Sequence, residues 1–124
     1  MEKVLGVGGI FFRAQDPSAL ADWYAKNLGV SPAPTDMETP PWISSEGVTV
    51  FAPFAADTDY FEANRQFMLN FRVGDLNAIL AQLRKADIEV TREETMEGIG
   101  RFARIHDPEG NPIELWEPES QADS

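Results

Sequence analysis

Apolar residues recur along this chain with two different periods, and the changes of period mark its elements. Val4 to Ala14 is apolar and partly aromatic, with Gly6, Gly8 and Gly9 embedded. It reads as a strand whose glycines let another backbone or a ligand approach closely. Asp16-Pro17 then supplies an N-cap followed by proline at the first helical position. Leu20, Trp23, Tyr24 and Leu28 recur at helical spacing, and Gly29 stands where a left-handed C-cap is wanted. The spacing predicts a helix over 17–28. Pro32, Pro34, Pro40 and Pro41 break the next stretch, where only short edge strands fit. Val48 to Phe54 reads as a strand. Ala55 to Arg65 is a polar connector that nevertheless carries Tyr60 and Phe61.

Gln66 to Val73 predicts the next strand, and Asp75 caps a second helix with Leu76, Ile79, Leu80 and Leu83 on one face. Ile88 to Thr91 and Gly100 to His106 read as strands. The run Asp107-Pro108-Glu109-Gly110-Asn111-Pro112 is a turn cluster leading into a last strand, Pro112 to Glu117. A polar, flexible tail is expected at 119–124. An internal repeat appears when the chain is slid by 59 residues: Phe12 meets Phe71, Arg13 meets Arg72, Asp16 meets Asp75 and Ala19 meets Ala78. The matches fall at equivalent points of a strand–helix junction. Two βαβββ modules follow, about 3–60 and 66–118, within one domain over 1–118. The predicted class is α+β, with a curved, cavity-enclosing mixed sheet and helices on its outer face.

Composition narrows the function. A length of 124 residues suits one domain, and 43% hydrophobic residues with eight Phe and three Trp suffice for a core. Ten basic against twenty-one acidic residues leave a net charge of −11, which repels phosphate backbones and anionic membranes. Neither nucleic acid nor membrane is an expected partner. Cysteine is absent, so disulfides, thiolate metal sites and a Cys nucleophile are ruled out. A single His makes a His-rich metal centre impossible within one chain. With no signal-peptide run and no membrane-length apolar stretch, the cytoplasm is the expected address.

The segments IFFRAQDPSALADWYAKNLGV, FMLNFRVGDLNAILAQL and above all RFARIHDPEGNPIELWEP resemble the vicinal oxygen chelate superfamily of glyoxalases, extradiol dioxygenases and bleomycin-resistance proteins. The resemblance implies a small-molecule ligand and, in the superfamily's metal enzymes, four ligands inside the cavity. Carried over by register, the first falls on Gly9, seven residues before Asp16, and its repeat partner on Met68, seven before Asp75. Another falls within Val48 to Phe54, where no side chain ligates a metal. Only Glu114 matches. Neither glycine nor a thioether suits a hard divalent cation, so no metal and no cofactor are expected.

Alternation along strands defines a lining. Phe11 and Arg13 share a face with Gly9; Met68, Asn70 and Arg72 form the equivalent stripe; Glu114 and Trp116 join from the last strand. Glu114 is a candidate general base. It is equally a ligand anchor, or a member of a buried ion network with Arg13 and Arg72 that only stabilises the fold. Trp42, Tyr60 and Phe61 are either core plugs or an aromatic rim over the ligand. His106 reads as a surface or turn residue, and Asp57, Asp59 and Glu62 as a solvated connector. The expected function is that of a glyoxalase-like lyase or isomerase acting on a small carbonyl or hydroxy compound. The alternative is a binding protein that sequesters a drug or antibiotic, as bleomycin-resistance proteins do. Exposed sheet edges favour pairing, so a homodimer is expected.

Overall fold

Both helices begin on an aspartate, as the repeat requires. In the computed structural model, which describes residues 1–119, α1 spans Pro17–Leu28 and α2 spans Leu76–Lys85. Asp16 accepts from the Ala19 N–H at 3.1 Å, and Asp75 from the Ala78 N–H at 3.0 Å. The matched Asp and Ala pairs of the repeat are thus two copies of one N-cap. α1 ends on Gly29 at φ 71°, whose N–H returns to the Ala25 carbonyl. That left-handed conformation suits a residue without Cβ. Residues 120–124, most of the expected tail, lie outside the described residues.

Four strands follow: β1 Leu69–Arg72, β2 Arg92–Met96, β3 Gly100–His106 and β4 Pro112–Pro118. They pair in the order β1-β4-β3-β2, with β1 parallel to β4 and the other pairs antiparallel. Alternation gives the sheet two unlike faces. Ala103, Ile105, Ile113 and Leu115 meet Leu20 and Tyr24 of α1 and Leu76, Leu80 and Leu83 of α2 in one buried core. The opposite face receives Asn70, Arg72, Phe102, Arg104, Glu114 and Trp116.

The turn between β3 and β4 is organised by a single buried carboxylate. Asp107, 4% exposed, accepts from the N–H groups of Glu109 and Asn111 at 2.9 and 3.0 Å through one oxygen. Its other oxygen accepts from the Asn111 side-chain amide and the Tyr24 hydroxyl, both at 2.7 Å. Gly110 takes φ 81° inside the loop. Glu109 reaches back to accept from the Gln15 and Asp16 N–H groups at 2.7 and 3.0 Å. The turn therefore holds the entry of α1 as well as the hairpin.

The expected α+β architecture with a mixed sheet and helices on one face is what forms, but the sheet is open and all four strands come from the second half. Val4 to Ala14 and Val48 to Phe54, expected as strands, have no ladder partner among the described residues. Val4, Leu5, Val7, Phe11, Val50 and Phe51 stay largely exposed. The physical reason is local. β2, β3 and β4 follow one another through turns of only a few residues, which close cheaply. The first half has four prolines between its apolar runs, so no hairpin bridges them. The strand expected at Ile88–Thr91 instead forms at Arg92–Met96. The Ile88 N–H is still bonded to Leu83 of α2, and pairing begins only where the Thr91 N–H meets the Arg104 carbonyl at 2.9 Å.

Burial, then the bond to Asp107 and that carboxylate's charge, push the Tyr24 hydroxyl above the ordinary tyrosine range. A group that holds its proton more tightly when folded contributes stability in full below the unfolded value of about 10, and loses it as pH rises further. Urea denaturation should therefore show stability falling above about pH 10. Tyr24→Phe should lower stability at neutral pH by about 1.5–3 kcal/mol, the worth of a hydrogen bond to a charged group, and flatten most of that alkaline decline.

Candidate functional site

The alternating face of β4 places Glu114 and Trp116 side by side, and the sheet register brings their neighbours. Asn70 lies opposite Glu114 on β1, and Arg72 opposite Trp116. On β3, Arg104 lies opposite Glu114 and Phe102 opposite Trp116. Phe102 and Trp116 stack with ring centroids 6.0 Å apart and planes 3° from parallel. The Trp116 indole N–H donates to the Ile99 carbonyl at 3.0 Å, which fixes the ring. The floor of the site is thus two parallel rings beside a carboxylate.

Glu114 is 7% exposed, and both of its oxygens have donors. The Asn70 side-chain amide donates to one at 2.8 Å, and the Tyr60 hydroxyl donates to the other. Tyr60 arrives from the connector rather than the sheet. Its ring lies against two cations, with the Arg92 and Arg104 guanidinium carbons 5.0 and 5.1 Å from its centroid. Each is close enough for an attractive cation–π contact. Arg104 also donates to the Tyr60 carbonyl at 3.1 Å. Tyr60, Arg92, Glu94, Phe102, Arg104 and Glu114 close together so tightly that no water-sized space remains between them.

The residues expected from sequence divide into three groups. Asn70, Glu114 and Trp116 meet on this face, and Tyr60 covers it. Arg72 shares the face but turns to the first half, donating to the Ser45 and Glu46 carbonyls at 2.8 and 3.4 Å; Met68 lies half-buried just before β1. Phe11 is exposed, Arg13 opens on a separate groove of about 850 Å³ shared with Trp23, Arg65 and Glu109, and Trp42 packs edge-on to Phe71. Arg13, Arg72 and Glu114 make no ion pair with one another among the described residues. His106 stands at the rim and contacts Glu62 at 2.7 Å. Partial burial raises the Glu62 carboxyl, but its own backbone and His106 outweigh this and hold it below the usual carboxylate range.

Arg92 and Arg104 were not among the residues expected to line a site. The signal for Arg104 was present: once the turn over 107–111 is placed, counting back along β3 sets it opposite Glu114. Arg92 had no such signal, because its strand forms beyond the segment that the apolar pattern marks. A metal does not fit this face. Glu114 has both oxygens engaged, and no group of three or more His, Cys, Asp or Glu among the described residues is placed to hold an ion.

A model of the glyoxalase-like domain family matches residues 9–116. Among solved structures, TnmS3, an antibiotic binding protein from Streptomyces sp. CB03234, is 25% identical over 85% of this chain and 88% of that chain, with a TM-score of 0.55. A glyoxylase/bleomycin resistance protein/dioxygenase domain from Frankia sp. EAN1pec shares the fold, with a TM-score of 0.63 over 94% of this chain and 100% of that chain at 17% identity. TioX from Micromonospora sp. ML1 does so with a TM-score of 0.56 over 86% and 93%, at 13% identity. No curated protein sequence matches the chain significantly.

Burial, then the bond to Glu114 and that carboxylate's charge, raise Tyr60, while Arg92 and Arg104 pull the other way; the hydroxyl is pushed up to about 12. The chain has two tyrosines, so phenolate absorbance reads both. The folded protein should show almost no phenolate at about pH 10, where a free tyrosine is half ionised. A first step should appear near pH 12 and be absent from Tyr60→Phe. An ordinary titration of both rings in folded protein would contradict this geometry.

Proposed function

The chain belongs to the glyoxalase-like domain family, and from that premise we propose that it holds a small carbonyl or hydroxy compound at Glu114, without a metal. It is a glyoxalase-like small-molecule protein, and binding is the reading its geometry supports best. One observation carries this: both oxygens of a buried carboxylate are met by aligned donors, Asn70 and Tyr60. Such a group is an oriented acceptor. A ligand hydroxyl exchanges for the Tyr60 hydroxyl without any proton leaving either molecule. The stacked Phe102 and Trp116 rings offer an apolar wall beside it, and a few directed polar contacts on an apolar wall are what small-ligand sites share. The likeness to an antibiotic binding protein points the same way.

Turnover is the second reading. Glu114 lies buried beside aromatic rings with a tyrosine hydroxyl bonded to it, an arrangement able to take a proton from a bound carbon acid and pass it on. Native mass spectrometry of protein purified from its host separates the two. A small-molecule adduct of unchanged mass after incubation supports binding; conversion of the released compound supports turnover. Glu114→Gln should lose the adduct while costing about 1–2 kcal/mol of stability, since hydrogen bonds weaken but no buried ion pair is broken. An adduct retained at full occupancy in the variant contradicts a role for Glu114.

We also propose a homodimer. The support is the set of exposed apolar residues in the first half, Val4, Leu5, Phe11, Val50 and Phe51 among them, a surface that a second copy would bury. Light scattering should give twice 13.8 kDa at micromolar concentration. Phe51→Asp should shift it toward the single-chain mass, and a wild-type monomer removes the proposal.

A further inference from the structure

Tyr60 meets three charged groups of the face at once. Its hydroxyl donates to Glu114, its ring lies against Arg92 and Arg104, and its backbone carbonyl accepts from Arg104. Arg104 itself is 6% exposed and forms no salt bridge among the described residues. Its Nε is buried without a hydrogen-bond partner. A buried cation needs acceptors, and Tyr60 supplies only part of what this one needs. An occupant with one more acceptor than Tyr60 would satisfy the Nε that Tyr60 leaves unpartnered.

Resting on the reading that a small molecule binds this face, we propose that Tyr60 is a built-in placeholder and that its replacement is a planar 4-hydroxyphenyl compound with a carbonyl oxygen beyond the para carbon. No water-sized space lies between the packed side chains, so a ligand that reaches Glu114 among them must displace one of them. Arg92, Arg104 and Glu114 stand on ladder-bonded strands. Tyr60 stands in a connector without helix or strand, held nearby by its N–H to the Thr58 hydroxyl at 3.2 Å and by Phe54, with ring centroids 5.6 Å apart. It is the side chain that leaves at least cost. The vacated slot then offers the Glu114 carboxylate as an acceptor, two guanidinium groups beside a ring-shaped space, and the unpartnered Nε of Arg104 as a donor. A para-hydroxyphenyl ring fills that space as Tyr60 does. A ligand carbonyl, unlike that of residue 60, which already accepts from Nη2, can accept from the Nε as well.

A tethered competitor acts at an effective concentration in the millimolar range, so the wild type should bind such compounds weakly and a variant lacking the ring should bind them better. The probe is N-acetyl-L-tyrosinamide, with N-acetyl-L-phenylalaninamide as the control lacking the hydroxyl. Calorimetry on Tyr60→Ala, its fold checked by circular dichroism, should show the tyrosine compound binding about ten-fold or more tighter than the control, the worth of one hydrogen bond to a charged acceptor. It should also bind more tightly than to wild type. Equal binding of probe and control, no binding, or wild-type affinity matching the variant overturns the proposal.

Wild-type protein carrying 3-fluorotyrosine gives a second measurement, independent of how the variant folds. Of its two fluorine resonances, that of Tyr60 should move toward the free amino acid's position with the probe and stay put with the control. If it stays put with both, the placeholder is wrong. Tryptophan fluorescence, compared with that of Trp116→Phe because the chain holds three tryptophans, then separates this proposal from the binding reading. A Trp116-dependent response to the compound released from host-purified protein, without movement of Tyr60, leaves binding on this face intact, whereas no response at all sinks both.

Discussion

Asp107 is the group on which the arrangement depends. A carboxylate 4% exposed, it accepts four hydrogen bonds, two from backbone N–H groups of its own turn, one from Asn111 and one from Tyr24. The first three fix where the chain reverses, and so fix which residue of β3 faces which residue of β4. A slip of one residue would turn every side chain to the other face. Arg104 meets Glu114, and Phe102 meets Trp116, because this turn permits one register. The fourth bond holds α1 against the same sheet. One side chain thus couples the helix of the first half to the hairpin of the second.

The face that results runs against the charge of the whole molecule. The chain carries −11, yet two guanidinium groups lie against Tyr60, and Arg104 is buried there without an ion-pair partner among the described residues. Net charge governs long-range approach, while recognition is decided by the few groups within contact distance. The acidic surface therefore does not imply a cationic ligand. The face holds an acceptor, Glu114, and a buried donor, Arg104, and the proposed ligand, with a hydroxyl and a carbonyl, matches both.

The first half behaves differently from the second despite the repeat. Its helix caps identically and buries Leu20 and Tyr24 in the common core. Its strand-like runs find no partner among the described residues, because the connections between them are long and broken by proline. What the second half achieves through neighbouring turns, the first half must achieve through contacts remote in sequence. Such contacts carry a larger loop-closure cost before any hydrogen bond offsets it.

Much of this was legible in the residues alone. Both helices, their aspartate caps, the Asp-Pro-Glu-Gly-Asn-Pro turn, the α+β class and the shared face of Asn70, Glu114 and Trp116 follow from local rules: capping chemistry, turn residues and strict alternation. These act over a few residues, so the sequence determines them without knowledge of the rest. The placement of Arg92 and Arg104 around Tyr60, the turning of Arg72 toward Ser45, and the departure of Arg13 to another groove were decided only by tertiary structure. Each depends on a contact more than twenty residues away in the chain or on a strand whose start is set by pairing rather than by apolar pattern. A side chain's partner is chosen by which segments the closed fold brings together, and local spacing carries no record of that choice.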